Sequence, residues 1–352
     1  MRIVLVTPLL DHGGGQKYIA NLSNYWVSLG HDVTIIHLRS GKSFFTLSEK
    51  IKIIHLNYYG GDTIKKIFTG FKAGIKLRNA IKKETPDFVL SILSSTNIFT
   101  LLFTRFLKVK IFVREAMSPY RKRSKIERIL RKILYKKAAG VIVMTQKAKK
   151  FVSAEIGINN VSVIPNPVKK HPENVSTQKE KIVIDVGRLT AVKGQLYFLE
   201  ACAKINRPDW KFVILGDGEY RSKLEEKIKE LNIENNVVLA GAVKNVHEWL
   251  AKSMIFTSTS LSEAWGNAIC EAMATGLPVV SFNCEVSPDE IIDDGEDGFL
   301  VPLQDVDELS NKIEMLMDDE ELRTKIGRKA KLKMERYNIE SISNQVLEFC
   351  TN

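Results

Sequence analysis

The chain has 352 residues, 44% of them hydrophobic and 26% charged, which suits two soluble globular domains, or three at most. That length buries enough core to fold without a disulfide or structural metal, and four scattered cysteines (Cys202, Cys270, Cys284, Cys350) with no CxxC pair argue against both and for a reducing compartment. The net charge is +11, and no apolar run approaches the ~20 residues that span a bilayer.

From the amino terminus, Ile3 to Val6 reads as a strand rather than a signal segment. It runs into Asp11 and three glycines without a small-residue cleavage site, so the chain reads as cytoplasmic. A helix follows with Ile19, Leu22, Trp26 and Leu29 on one face, stopping at Gly30. Val33–Leu38, Phe88–Ile92, Lys110–Val113 and Gly140–Met144 are further strands. Residues 164–179 are rich in proline and polar side chains and lack an apolar period, as a linker does. The charge changes sign there, from +21 over residues 1–175 to −10 over residues 176–352.

Beyond it, Ile182–Val186, Lys211–Leu215, Val237–Leu239, Met254–Thr257 and Pro278–Phe282 read as strands, with helices between them such as Tyr220–Leu231. Strands alternating with helices predict parallel sheets covered on both faces. The expected fold is therefore α/β, with two facing Rossmann-like domains and an interdomain cleft. The expected bounds are 1–167 for a basic first domain, 168–180 for the linker and 181–352 for the second domain, the last helix returning to the first.

Three loops at predicted strand ends carry candidate chemistry. Gly13, Gly14 and Gly15 suit either a tight strand-to-helix turn or a phosphate at a helix N-terminus, and the pattern is not GxGxxG. Arg188 and Lys193 lie between Gly187 and Gly194, as loop charges or as a pyrophosphate clamp. Glu263 follows a buried strand, and Glu271 sits one turn into an apolar helix that starts near Gly266 or Asn267. A carboxylate there is costly to bury unless something such as a ribose diol donates to it; the other reading is a rim acid facing solvent or a structural Arg. Asp305 and Asp307 match a DxD string but precede Leu309, Ile313 and Leu316 at helical spacing, so they read as a helix cap. Asp293 to Asp297 reads as a turn. The histidines form no HxH or HxxxH, and no catalytic metal is expected.

Glu263 and Glu271 with seven residues between, Arg188 and Lys193 between their glycines, Gly14 and Gly15, and Ile164-Pro165-Asn166 occur in an order that resembles family 4 of the retaining glycosyltransferases, of GT-B fold. The resemblance spans the chain and is strongest over residues 181–303. It implies that Glu271 holds the donor ribose and Glu263 the transferred sugar. Arg188 and Lys193 would neutralise the departing diphosphate with main-chain N–H groups of Gly266, Asn267 and Ala268, while Gly14 and Gly15 close on the same phosphates. The loop around Val243 would receive a uracil base. Such enzymes use a UDP-sugar as substrate, need no cofactor or metal, and keep the anomeric configuration. Two departures stand out: Ala264 and Trp265 replace a glycine common after the first glutamate, and Glu115 replaces a common histidine. Glu115 is a candidate sugar or acceptor contact, or a salt-bridge partner of Arg114 or another neighbour.

Residues 121–137 hold nine Lys or Arg and one acid around Ile126, Ile129, Leu130, Ile133 and Leu134; residues 64–83 are similar, with Lys65, Lys66 and Lys72 near Ile67, Phe68, Phe71 and Ile75. Basic amphipathic helices suit an anionic bilayer; the other reading is a core-facing stripe beneath solvated charges. Sparse aromatics argue against nucleic acid. The expected activity is transfer of a hexose or N-acetylhexosamine to a lipid-linked or free saccharide, at the inner face of the plasma membrane, in capsule, exopolysaccharide or O-antigen assembly. An epimerase of the same fold and a non-catalytic nucleotide or polyanion binder are the alternatives.

Overall fold

The structure is a computed structural model that describes residues 1–11, 13–58, 63–169 and 178–352, with side chains for all of these except 63–68. The side chains of Lys65, Lys66, Ile67 and Phe68, and residues 170–177 of the expected linker, lie outside the described residues. The chain divides into two compact units: residues 1–167 with 339–352, and residues 168–338.

The first unit is a parallel sheet of β1 (Arg2–Thr7), β2 (Asp32–His37), β3 (Lys52–His55), β4 (Phe88–Ile92), β5 (Lys110–Arg114), β6 (Gly140–Val143) and β7 (Val161–Val163), ordered β3-β2-β1-β4-β5-β6-β7. Its strands read as near-continuous apolar runs because both faces are covered; all five residues of β4 are buried. One face carries α2 (Thr63–Glu84), α3 (Ser94–Thr104), α4 (Lys125–Leu134) and α5 (Gln146–Ile156), whose Leu77, Leu101, Leu134 and Val152 share a core with Val89 and Val113. The other carries α1 (Gly14–Ser28) and the final helix, Ile339–Thr351. There Trp26 meets Phe88 edge-on at 6.3 Å, Phe88 meets Phe112 at 6.2 Å, and Phe112 meets Phe349 at 5.5 Å.

In the second unit, β8 (Ile182–Val186), β9 (Lys211–Leu215), β10 (Val237–Gly241), β11 (Ile255–Ser258), β12 (Val279–Phe282) and β13 (Phe299–Val301) form a parallel sheet ordered β10-β9-β8-β11-β12-β13. Around it lie α6 (Gln195–Lys204), α7 (Arg221–Glu230), α8 (Val246–Lys252), α9 (Asn267–Ala274), α10 (Pro288–Ile291), α11 (Val306–Asp318) and α12 (Glu320–Met334); the final helix is therefore α13. Phe198 of α6 and Leu309 of α11 pack with Phe212 and Val280 in one core.

Strand order reverses between β1 and β4 in one sheet and between β8 and β11 in the other. Such switch points are where open α/β sheets leave a crevice beyond their carboxyl ends. Every strand expected from an apolar run is present, within two residues at each end. The strands that were not expected, β3, β7 and β13, all lie at a sheet edge, where a short strand shows less apolar surface to one side. Leu29 departs from its expected place: it follows α1, with half its surface exposed, and the buried line is Ile19, Leu22 and Trp26. Residues 164–169 are less of a linker than expected, since Ile164, Asn166 and Val168 are buried.

Candidate functional site

In the second unit the site begins where β8 ends. Gly194 has φ +65°, and a Cβ there would stand 2.1 Å from the Thr259 carbonyl oxygen. Only glycine lets this loop come so close to the end of β11. A Cβ on Gly216, after β9, would stand 1.8 Å from the Gly187 carbonyl oxygen, so three strand ends are drawn together. Lys193, on a 3-10 turn over residues 191–193, thereby reaches across the switch point and donates to Glu263 Oε1 at 2.5 Å. Ser260 Oγ donates to the same oxygen at 2.8 Å. Both members of the ion pair are mostly shielded from solvent. Burial alone would lower the Lys193 pKa, but the Glu263 and Asp185 carboxylates outweigh it and raise it, so the lysine is charged.

Beneath the pair lies Asp185, on β8 and 4% exposed. Gln195 Nε2 approaches its Oδ1 at 3.4 Å. Burial pushes this carboxyl up to about 7, against the pull of Lys193. Asp185 and Ser260 were not singled out from sequence, although an acid inside the apolar run Ile182–Val186 is itself a signal.

Arg188 is exposed on the same loop, and Val243 is half-buried after β10, whose Gly241 carbonyl accepts from Gly216 N at 2.8 Å. Gly266 is the N-cap of α9 in the left-handed region, φ +44°, with Asn267 and Ala268 opening the helix. No side chain caps α9 and no acid lies in its first turn, so its positive end is left to attract an anion. Glu271 is partly buried one turn in. Trp265 is a packing residue, 3% exposed and edge-on to Tyr337 at 5.5 Å.

Gly14, Gly15 and Glu115 belong to the first unit. Gly14 begins α1 at the β1–β4 switch point, again with no side-chain cap and no acid in the first turn. Gly15 sits where a Cβ would be 3.3 Å from both Ala116 and Ile92. Glu115 is 4% exposed and built into the unit: Ser94 Oγ lies 3.0 Å from both its oxygens, the Tyr135 hydroxyl donates to it, and Arg131 Nε is 3.4 Å away. Of the salt-bridge partners expected from sequence, Arg114 or another neighbour, the structure has the latter: Arg131 and Arg123. Arg114 instead donates to the Ile164 carbonyl and Asn166 Oδ1, both at 2.8 Å, with its guanidinium 3.7 Å from the Tyr18 ring centre.

Asp305 caps α11, accepting from Glu308 N at 2.9 Å, and Asp293 to Asp297 forms a turn before β13. Among the described residues no group of three or more His, Cys, Asp or Glu side chains is placed to hold a metal ion, and no helix is long and apolar enough to cross a membrane.

A family model described as "Glycosyl transferases group 1" matches residues 168–333, and one described as "Glycosyltransferase Family 4" matches residues 12–170. The chain is 29% identical to the GalNAc-alpha-(1->4)-GalNAc-alpha-(1->3)-diNAcBac-PP-undecaprenol alpha-1,4-N-acetyl-D-galactosaminyltransferase of Campylobacter jejuni, over 99% of this chain and 98% of that one. It is 30% identical to an uncharacterized glycosyltransferase of Haemophilus influenzae, over 94% of each. Among solved structures, Anabaena Alr3699/HepE in complex with UDP superposes with a TM-score of 0.85 at 19% identity, over 99% of each chain.

Proposed function

Since the chain belongs to glycosyltransferase family 4 and has the GT-B fold, we propose that it is a retaining, metal-independent transferase that moves a hexose or N-acetylhexosamine from a UDP-sugar to a polyprenyl-pyrophosphate-linked saccharide. It would act in cell-surface polysaccharide assembly, from the cytoplasm, peripheral to the inner face of the plasma membrane. The observation that carries this reading is the Lys193–Glu263 pair at the β8–β11 switch point, beside the uncapped start of α9. The Campylobacter relative's name specifies a saccharide on undecaprenyl pyrophosphate, and the Anabaena structure holds UDP; both support the choice of acceptor and donor.

The chemistry follows from donor counting. An ammonium has three N–H donors, and Glu263 takes one from Lys193, so two serve a diphosphate without breaking the pair. Glu263 Oε1 is occupied by Lys193 and Ser260, which leaves Oε2 for a sugar hydroxyl. Arg188 forks onto the phosphates and the positive end of α9 adds main-chain donors from Gly266 to Ala268. Glu271 takes the ribose hydroxyls. The bond from the anomeric carbon to the phosphate oxygen breaks as charge grows on the diphosphate. The acceptor oxygen bonds to the same face, and its proton leaves with the phosphate. Fixed cations aimed at the growing charge lower the barrier without a divalent ion.

The test is thermal stability with UDP, GDP and ADP in the absence of metal, followed by turnover with UDP-sugars. UDP at 100 times its Kd should stabilise by roughly 2.7 kcal/mol, and UDP release should require an acceptor and give a product of unchanged anomeric configuration. A shift with GDP alone would change the donor. Interconversion of sugar nucleotides without an acceptor would mark an epimerase, and binding without turnover a binder.

A further inference from the structure

Asp185 lies beneath the Lys193–Glu263 pair, yet the chemistry of transfer gives it no part. It is in register with Thr257 of β11 on one side and Ile214 of β9 on the other. A carboxylate buried in such a place draws short, charge-assisted hydrogen bonds of about 2.7–2.9 Å. The Gln195 amide instead approaches at 3.4 Å, and the same Nε2 lies 3.3 Å from the Arg188 carbonyl. Neighbouring side chains on paired strands share a face, so the Thr257 hydroxyl is placed to donate to a carboxylate. It makes no such bond: Thr257 Oγ1 and Gln195 Oε1 are both buried without a hydrogen-bond partner. An amide oxygen only accepts and a hydroxyl can accept, so the pocket is short of a donor. Protonating Asp185 supplies one.

The titratable groups that face Asp185 are Lys193 on its 3-10 turn, Glu263 after β11 and the buried Cys202 of α6. Burial pushes the Cys202 thiol up, so it stays neutral. Lys193 therefore stands against two acids. With Asp185 ionised the three groups carry a net negative charge, which repels a diphosphate; with Asp185 protonated they balance. The Lys193 stem and the Gln195 amide lie together over Gly187, where a Cβ would be 3.4 Å from each. The acid, its amide partner and the clamp are thus one contiguous cluster. An anion brought to Lys193 makes the ionised form of Asp185 more costly, and by linkage the proton on Asp185 makes the anion bind more tightly. Burial holds the carboxyl at about 7, where either form is within easy reach.

We propose that Asp185 is a positioning residue that couples uptake of a proton to the seating of the donor diphosphate on Lys193. The proton comes from solvent and stays on the carboxyl as O–H, so one acid fewer competes for the ammonium. As the sugar departs and charge grows on the diphosphate, the neutral carboxyl keeps the field beneath it favourable. The proton returns to solvent when the nucleotide leaves. The proposal rests on the reading of Lys193 as the diphosphate clamp and adds a control by pH to that site.

The test is calorimetric titration of the full chain with UDP at pH 6 and pH 8, each in two buffers of different ionisation enthalpy. At pH 8, where the phosphates of free UDP are ionised, wild type should take up about half a proton or more per UDP bound. Its affinity should also fall about fivefold from pH 6 to pH 8 relative to that of Asp185→Asn. Asp185→Asn and Asp185→Ser, which cannot titrate, should take up no proton at pH 8. Equal proton uptake and equal pH profiles in the three proteins would overturn the proposal and leave the Lys193 clamp standing. Wild type by itself gives the proton count, and zero uptake or net release at pH 8 would overturn the proposal whatever the variants do. No binding of UDP at either pH would overturn it together with the donor-site reading beneath it.

Discussion

Lys193 and Glu263, seventy residues apart in the chain, meet at 2.5 Å over a buried aspartate. The lysine is held by a carboxylate yet keeps donors for an anion, which is what a group needs if it is to be aimed before its substrate's charge appears. Lys193→Ala should therefore lower kcat roughly 100-fold with a much smaller change in donor Kd. Steady-state UDP release and direct UDP binding separate the two, and equal losses in both would count against the assignment.

Glu271 is a different kind of acid, one turn into α9. Glu271→Ala should weaken UDP binding by about 1.5–3 kcal/mol, the worth of hydrogen bonds to a charged group. Calorimetric titration with UDP reads this directly, and an unchanged Kd would remove Glu271 from the donor site.

Asp185 predicts a pH dependence of stability. Its carboxyl titrates near 3.8 when unfolded and is pushed up to about 7 by burial when folded. Between those values the folded chain holds a proton that the unfolded chain has released, so this group's contribution falls as pH rises from about 4 to 7 and is flat above. Urea unfolding at pH 5 and pH 8 should show that slope in wild type and a shallower one in Asp185→Asn. The same slope in both proteins would mean that Asp185 is ionised in the folded state throughout.

Glu115 anchors the first unit. Glu115→Ala would leave Arg131 and Arg123 facing each other without their shared carboxylate, and removing one member of a buried ionic cluster costs about 3–5 kcal/mol. The thermal midpoint should fall by roughly 10 °C. A change in transfer rate at an unaltered midpoint would instead favour the sugar or acceptor contact considered from sequence.

The central strands were legible because burial on both faces leaves apolar runs such as Phe88–Ile92 and Ile182–Val186. Three of the four edge strands, β3, β7 and β13, were not: β3 is mostly exposed and offers no such run. The loops of the site could be read from their glycines and charges, since close backbone approach dictates residue type locally. The partners of those charges could not. That Lys193 meets Glu263, or that Arg131 turns α4 inward against Glu115, depends on contacts between distant segments. Periodicity found the α4 stripe, but a stripe three to four residues apart includes both Leu130 and Ile129, and only the tertiary anchor decides which one faces water.

Helix α13 completes the first unit from the far end of the chain. Its Ser343 receives the Trp26 indole N–H at 2.7 Å, and Phe349 packs on Phe112 and over Gly140. The unit is thus assembled from residues 1–167 and 339–352, with the whole of the second unit encoded between. On the ribosome, at about 5–20 residues per second, the α1 side of the first sheet waits on the order of ten seconds or more for its last helix. The second unit, although later in sequence, has all its parts first. Newly made chains therefore pass through a stage in which Trp26 and Phe112 lie uncovered, and holding that surface apart from its neighbours is work for chaperones.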